Sequence, residues 1–158
     1  TWLAECVQPD GRVYAFDIDK KRLGRITENA ERLQLSDVIE VVADPSLLST
    51  ADCVLADVPC SNSGVLGRRV EARRRLEPET LEELPKVQSE LLVRALQLTR
   101  PGGHTVYSTC SIDREENESV VEAVLAAHPG DEVVESRLTL PVVGQHDGGF
   151  FAVLRRQS

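Results

Sequence analysis

Cys53–Gly64 reads CVLADVPCSNSG. Four apolar residues in succession, Cys53–Ala56, form the run expected of a short buried strand, and Pro59 with the small polar residues Ser61–Gly64 ends it. The strand gives out into a loop that holds a carboxylate, Asp57, and a thiol, Cys60. In open α/β sheets, ligands bind beyond the carboxyl ends of the strands, so this stretch marks both a fold class and a place to look for chemistry.

Strand and helix patterns alternate on either side of it. Thr1–Val7 has a helical stripe (Trp2, Leu3, Cys6, Val7), Pro9-Asp10-Gly11 is a turn, and Arg12–Phe16 is a strand. Lys20–Leu35 reads as an amphipathic helix with Leu23, Ile26, Ala30 and Leu33 on one side, followed by strands at Val38–Val42 and Asp52–Ala56. Pro78–Thr99 is the longest helical pattern, with Leu91, Leu92, Ala95 and Leu98 inward, and Arg100-Pro101-Gly102-Gly103 stops it. Thr105–Ser108 reads as a strand, Glu115–Ala127 as a helix, and Glu132–Ser136 and Phe150–Leu154 as two strands with no helix between them. The alternation predicts an α/β, Rossmann-like sheet, mostly parallel, with an antiparallel C-terminal strand and helices on both faces. Residues 1–158 read as one domain.

Composition narrows the classes. Hydrophobic content of 41% and charged content of 28% are those of an ordinary globular protein. No apolar run approaches membrane-spanning length and no secretory leader is visible, so neither a membrane partner nor secretion is expected. Cys6, Cys53, Cys60 and Cys110 form no CxxC pair. That spacing argues against a bound metal and against a disulfide scaffold, and predicts free thiols in the cytoplasm. A net charge of −8 speaks against nucleic acid as a partner, but its distribution is uneven, with Arg68, Arg69, Arg73, Arg74 and Arg75 within eight residues. Such a run is either a solvated basic face or a grip on an anionic polymer. The chain begins at Thr1 and contains no methionine, which initiator removal or excision from a longer protein would each explain.

Four strand ends carry candidates: Asp17, Asp44, Asp57 with Cys60, and Cys110 after Tyr107-Ser108-Thr109. An acidic residue ending a strand of a nucleotide-binding unit accepts ribose hydroxyls, a role that suits Asp17, while Asp44 suits an adenine amine. Each is also a sensible capping or turn aspartate. The Gly-rich turn that normally cradles a nucleotide is not found in these residues, and it is expected, with the strand leading into it, ahead of Thr1. A lone cysteine at a strand end is usually a packing residue; two at two strand ends, one beside an aspartate, form a constellation.

DVPCS (Asp57–Ser61) and YSTCS (Tyr107–Ser111) resemble the paired cysteine motifs of the Sun/Fmu (RsmB-like) family of RNA cytosine-5 methyltransferases. QSELL (Gln88–Leu92), PGG (Pro101–Gly103), EEN (Glu115–Asn117) and GGFF (Gly148–Phe151) look like further landmarks of the same family. Val58, Asn62 and Ser63 stand where the family motif D-A-P-C-S-G-T-G has Ala, Gly and Thr. The resemblance implies S-adenosyl-L-methionine as methyl donor and RNA, ribosomal by analogy and single-stranded or locally melted, as substrate. It also places Asp17 and Asp44 on the cofactor and Asp57 between cofactor and base; the expected state of the chain is a monomer. Chemistry alone favours Cys60 as nucleophile, since Pro-Cys serves that role in DNA cytosine-5 enzymes. The resemblance instead assigns attack to Cys110 and adduct breakdown to Cys60. Arg68, Arg69 and Arg73 then become candidates for phosphate contacts. Three other readings stand beside this one. An amino-group methyltransferase would carry an aromatic where Cys60 lies, a DNA cytosine methyltransferase would lack the second motif, and a truncated fragment would bind RNA or fold without catalysis.

Overall fold

The computed structural model describes residues 1–69, 71–72 and 77–157, which form two compact units, Thr1–Ser49 and Thr50–Ser158. In the first unit, α1 (Trp2–Val7) leads to β1 (Val13–Ala15), α2 (Lys20–Arg32) and β2 (Ile39–Val41), and β1 and β2 pair in parallel. Ala4, Ala30, Leu35 and Ile39 are its buried core, with Val13, Ala15, Ile26 and Val38 packed around them. Ala4, and not the stripe read from the sequence, is the buried residue of α1, while Trp2 is 71% exposed. Asp19 caps α2, its side chain accepting from the Lys21 N–H at 2.9 Å.

α2 stops at Arg32, short of the predicted Leu35, because Gln34 turns left-handed at φ 58°. The Gln34 N–H then donates to the Glu31 carbonyl at 3.1 Å and the Leu35 N–H to the Ala30 carbonyl at 2.8 Å. This paired closure satisfies the end of the helix and sends Leu35 into the core.

The second unit runs β3 (Ala51–Asp57), α3 (Pro78–Leu98), β4 (Thr99–Thr109), α4 (Glu118–Ala127), β5 (Glu132–Thr139) and β6 (Gly149–Arg155). Its sheet has the order β3-β4-β6-β5. β3 and β4 are parallel, and β6 runs antiparallel to both β4 and β5, so the sheet is mixed. Alternate residues of β4 and β6 (Tyr107, Phe150, Ala152, Leu154) face Leu92 and Leu96 of α3 and Val120, Val121 and Val124 of α4. Period-two burial on the strands and the 88–92–95 spacing on α3 generate this interface.

β4 starts directly at Thr99, not at Thr105 as expected from the sequence. The Pro-Gly-Gly stretch is accommodated as an irregularity, with Ala51 opposite Thr99 but Cys53 opposite His104. β3 has β4 as its one hydrogen-bonded neighbour among the described residues, and Leu55 remains 51% exposed, unlike the fully buried strand its apolar run predicts. No helix among the described residues is long and apolar enough to cross a membrane.

Candidate active site

The parallel register sets Asp57 opposite Ser108, so β3 and β4 end level with each other. The Val58 N–H extends the ladder by one bond to the Ser108 carbonyl at 3.1 Å. Two loops therefore leave the same edge side by side, one carrying Cys60 and the other Cys110. Their sulfurs lie 3.0 Å apart. Both thiols are free, the separation being well beyond the roughly 2.05 Å of a disulfide bond.

Several close approaches build this arrangement. Asn62 adopts the left-handed conformation at φ 64°, one that few residues besides glycine accept. Its Nδ2 donates to the Cys60 carbonyl at 2.8 Å, and its Oδ1 lies 3.2 Å from Cys110 Sγ, within reach of the thiol proton. Two residues on, the Gly64 N–H donates to the Cys110 carbonyl at 3.0 Å, and the Gly148 N–H donates to the Gly64 carbonyl at 2.7 Å. A Cβ on Gly64 would stand 2.5 Å from the Gly148 oxygen and 2.9 Å from the Cys110 oxygen, so only glycine lets the three segments meet.

The two thiols are electrostatically unequal. Cys110 is lowered to about 7, chiefly by the hydrogen bond from Cys60, against burial and the negative charge of Asp57; Arg69 assists by its positive charge. Cys60 is pushed far above the ordinary thiol range, first by donating to Cys110 and then by burial. Cys110 therefore ionises before Cys60, and its thiolate, where formed, accepts from the Cys60 thiol. A partly buried thiolate of this kind is the reactive form of cysteine.

Behind the sulfurs lies a polar network that sequence reading passed over. Ser61 and Ser111, the residues following the two cysteines, are buried, and their hydroxyls are 3.2 Å apart. Glu116 and Gln88 complete the network, with Thr109 donating to Asn117 Oδ1 at 2.6 Å alongside. The available signal was Gln88 itself, a polar residue on the inward stripe it shares with Leu92 and Ala95.

The other expected residues are placed as follows. Arg68 and Arg69 are exposed, and Arg68 pairs with Asp147 at 3.4 Å. Arg73, with Arg74 and Arg75, lies outside the described residues. In the N-terminal unit, Asp17 and Asp44 follow the adjacent parallel strands β1 and β2. Asp17 accepts from the Asp19 N–H at 2.8 Å and pairs with Arg22 at 3.4 Å. Asp44 caps a short 3-10 turn, accepting from the Ser46 N–H at 2.9 Å. Carboxylates beyond neighbouring parallel strand ends are of the chemical type that accepts ribose hydroxyls or an adenine amine, and here each also makes a local hydrogen bond.

Residues 1–152 match the family described as 16S rRNA methyltransferase RsmB/F. Ribosomal RNA small subunit methyltransferase B of Yersinia pseudotuberculosis is 36% identical over 157 residues, covering 91% of this chain and 36% of that protein. Among solved structures, PH0851 superposes with a TM-score of 0.90 at 32% identity, covering 98% of this chain and 39% of that one. NSun6 from Pyrococcus horikoshii, solved with SFG, gives a TM-score of 0.84 at 27% identity, over 99% of this chain and 44% of that one. The chain spans little more than a third of the length of the curated relatives it matches. With an α/β methyltransferase fold, two cysteine motifs meeting at one sheet edge and a match along nearly its whole length, the chain belongs to the 16S rRNA methyltransferase RsmB/F family.

Proposed function

We propose that this chain is the catalytic part of an RNA cytosine-5 methyltransferase acting on ribosomal RNA, with Cys110 as nucleophile, Cys60 as its proton-holding partner and Asp57 on the target base. The observation that carries the reading is the 3.0 Å separation of two unequal thiols at the ends of parallel strands.

Carbon 5 of cytosine is a poor nucleophile while the ring is aromatic. Addition of the Cys110 thiolate to carbon 6 breaks that aromaticity and puts enamine character on carbon 5, splitting one hard step into easier ones. The Asp57 carboxyl group, exposed at the end of β3, serves the base edge by managing the proton at ring nitrogen 3. Attack consumes the negative charge on Cys110 and with it the hydrogen bond that holds the Cys60 proton. Cys60 is thereby freed to release its proton to water; its thiolate then takes the carbon 5 proton, the C5–H electrons restore the ring double bond, and the sulfur–carbon bond breaks to return Cys110 as thiolate. S-adenosyl-L-methionine, when bound, supplies an electrophilic methyl group; Asp17 and Asp44 would hold its ribose and adenine. The target cytosine must leave its stack to reach the sulfurs, which favours single-stranded or locally melted RNA.

The finer architecture belongs to the same reading: a mostly parallel sheet with helices on both faces. We further place the protein in the cytoplasm as a monomer, where the free thiols stay reduced. The short coverage of the relatives favours a second reading, in which residues 1–158 alone fold or bind RNA without catalysis. Isothermal titration of residues 1–158 with S-adenosyl-L-methionine separates the two: binding supports the first reading, and no binding supports the second.

In the full-length protein, Cys110→Ala is expected to abolish the covalent RNA adduct, while Cys60→Ala accumulates it on denaturing gels. A trapped adduct in the Cys110 variant would reverse the assignment.

A further inference from the structure

A polar side chain sealed from water costs about 1–3 kcal/mol unless its hydrogen bonds are met, so its partners are informative. Gln88 on α3 and Glu116 in the turn before α4 are both such groups, at 0% and 2% exposure. Glu116 Oε2 accepts from Gln88 Nε2 at 2.8 Å and from the backbone N–H of Ser61, the residue after Cys60, at 2.9 Å. Its other oxygen, Oε1, accepts from the hydroxyl of Ser111, the residue after Cys110, at 2.9 Å. Gln88 Nε2 also donates to the carbonyl of Pro59, the residue before Cys60, at 2.9 Å. The Glu116 backbone is fixed in turn, its carbonyl accepting from the Tyr107 hydroxyl at 2.6 Å. One carboxyl group on a third, helix-anchored element therefore touches both cysteine loops.

We propose that Glu116, backed by Gln88, is a positioning residue of the reaction, holding the Cys60 and Cys110 loops in the register that keeps their sulfurs within hydrogen-bond reach. This rests on the cysteine roles assigned above. The groups that set the acidity of Cys110 are Cys60, Asp57 and Arg69, so Glu116 acts through the first of them. The sign of its effect separates positioning from charge. Removing a negative charge through space would make Cys110 more acidic, whereas loosening the Cys60 hydrogen bond makes it less so. Glu116→Gln keeps the register, because its amide oxygen still accepts from Ser61 and Gln88 and its NH2 group donates to Ser111 Oγ. Glu116→Ala severs both loops.

The test uses the full-length protein, following iodoacetamide alkylation of Cys110 by mass spectrometry against pH, together with steady-state methylation. Glu116→Ala is expected to move the alkylation midpoint from about 7 toward the roughly 8.5 of an ordinary thiol, and to cut kcat about 100-fold with the KM for RNA within about threefold. Glu116→Gln is expected within about threefold of the parent in both. A folded Glu116→Ala variant with the parent midpoint, or a Glu116→Gln variant as impaired as Glu116→Ala, overturns the proposal. Should Glu116→Ala fail to melt cooperatively, Gln88→Leu must shift the midpoint upward, and an unchanged midpoint there overturns it too. Alkylation needs neither RNA nor methyl donor, so failure of the cysteine roles would appear separately, as an RNA adduct persisting in Cys110→Ala.

Discussion

Near neutral pH the chemistry of the site turns on two neighbouring thiols of opposite acidity, Cys110 lowered and Cys60 raised. Cys110 is more acidic folded than unfolded, so its ionisation contributes stability that is complete above about pH 9 and lost as pH falls through about 7. Its alkylation rate is expected to climb about eightfold from pH 5.5 to 6.5 and to level off above about 8.5. Asp57 lies close enough for its charge to oppose this ionisation, which gives Asp57→Asn two opposite effects. The midpoint for Cys110 alkylation should fall below that of the parent, while methylation drops about 100-fold or more because the base loses its acid–base partner. Parallel loss of both reactivities would show that Asp57 is structural. Asn62 stands where the resembled motif has glycine, and its backbone shows why that position is selective. The position demands a left-handed residue, and Asn is one of the few side chains that tolerates it. Glu116 was marked only as part of the EEN landmark, and its burial was not legible, because an acidic residue before a helix looks like an ordinary first-turn charge until the fold buries it.

Elements were read more reliably than their ends. α2 was recognised from Leu23, Ile26 and Ala30, but its C-terminus was overrun, because the apolar period continues to Leu33 and Leu35 while the backbone leaves the helix. Gln34 occupies the left-handed position where glycine is preferred. Gln34→Gly is therefore expected to stabilise the protein by about 1 kcal/mol, raising Tm by about 2–4 °C in a calorimetric scan. A lower Tm would mean that the Gln34 side chain does more than fill the turn. β4 was underestimated for the converse reason: Pro101, Gly102 and Gly103 carry a stop signal, yet Gly103 fits against the Asp52 carbonyl and the strand is paired from Thr99 on.

For the molecule as a whole, net charge and local charge point in different directions. A chain of net charge −8 repels RNA at long range, so its grip must be local. Arg68 and Arg69 stand on the turn that follows the Cys60 loop, and Arg68 must exchange Asp147 for a phosphate to join that grip. Replacing both by Glu should weaken RNA binding and flatten the slope of log K against log salt by about 1.4, the share of two phosphates on a single strand. An unchanged slope in filter binding would leave Arg68 as a clamp between two loops.

Taken alone, the sequence determined the α/β class, the order of elements and the two cysteine motifs, because hydrophobic period and motif spacing are local and survive without coordinates. What only the tertiary structure decided is how Cys60 and Cys110, fifty residues apart, come within hydrogen-bond reach of each other. That depends on the parallel register of β3 with β4, the close approach at Gly64 and the buried Glu116 between the loops. Each is a contact between segments distant in the chain, and no pattern within either segment encodes the distance.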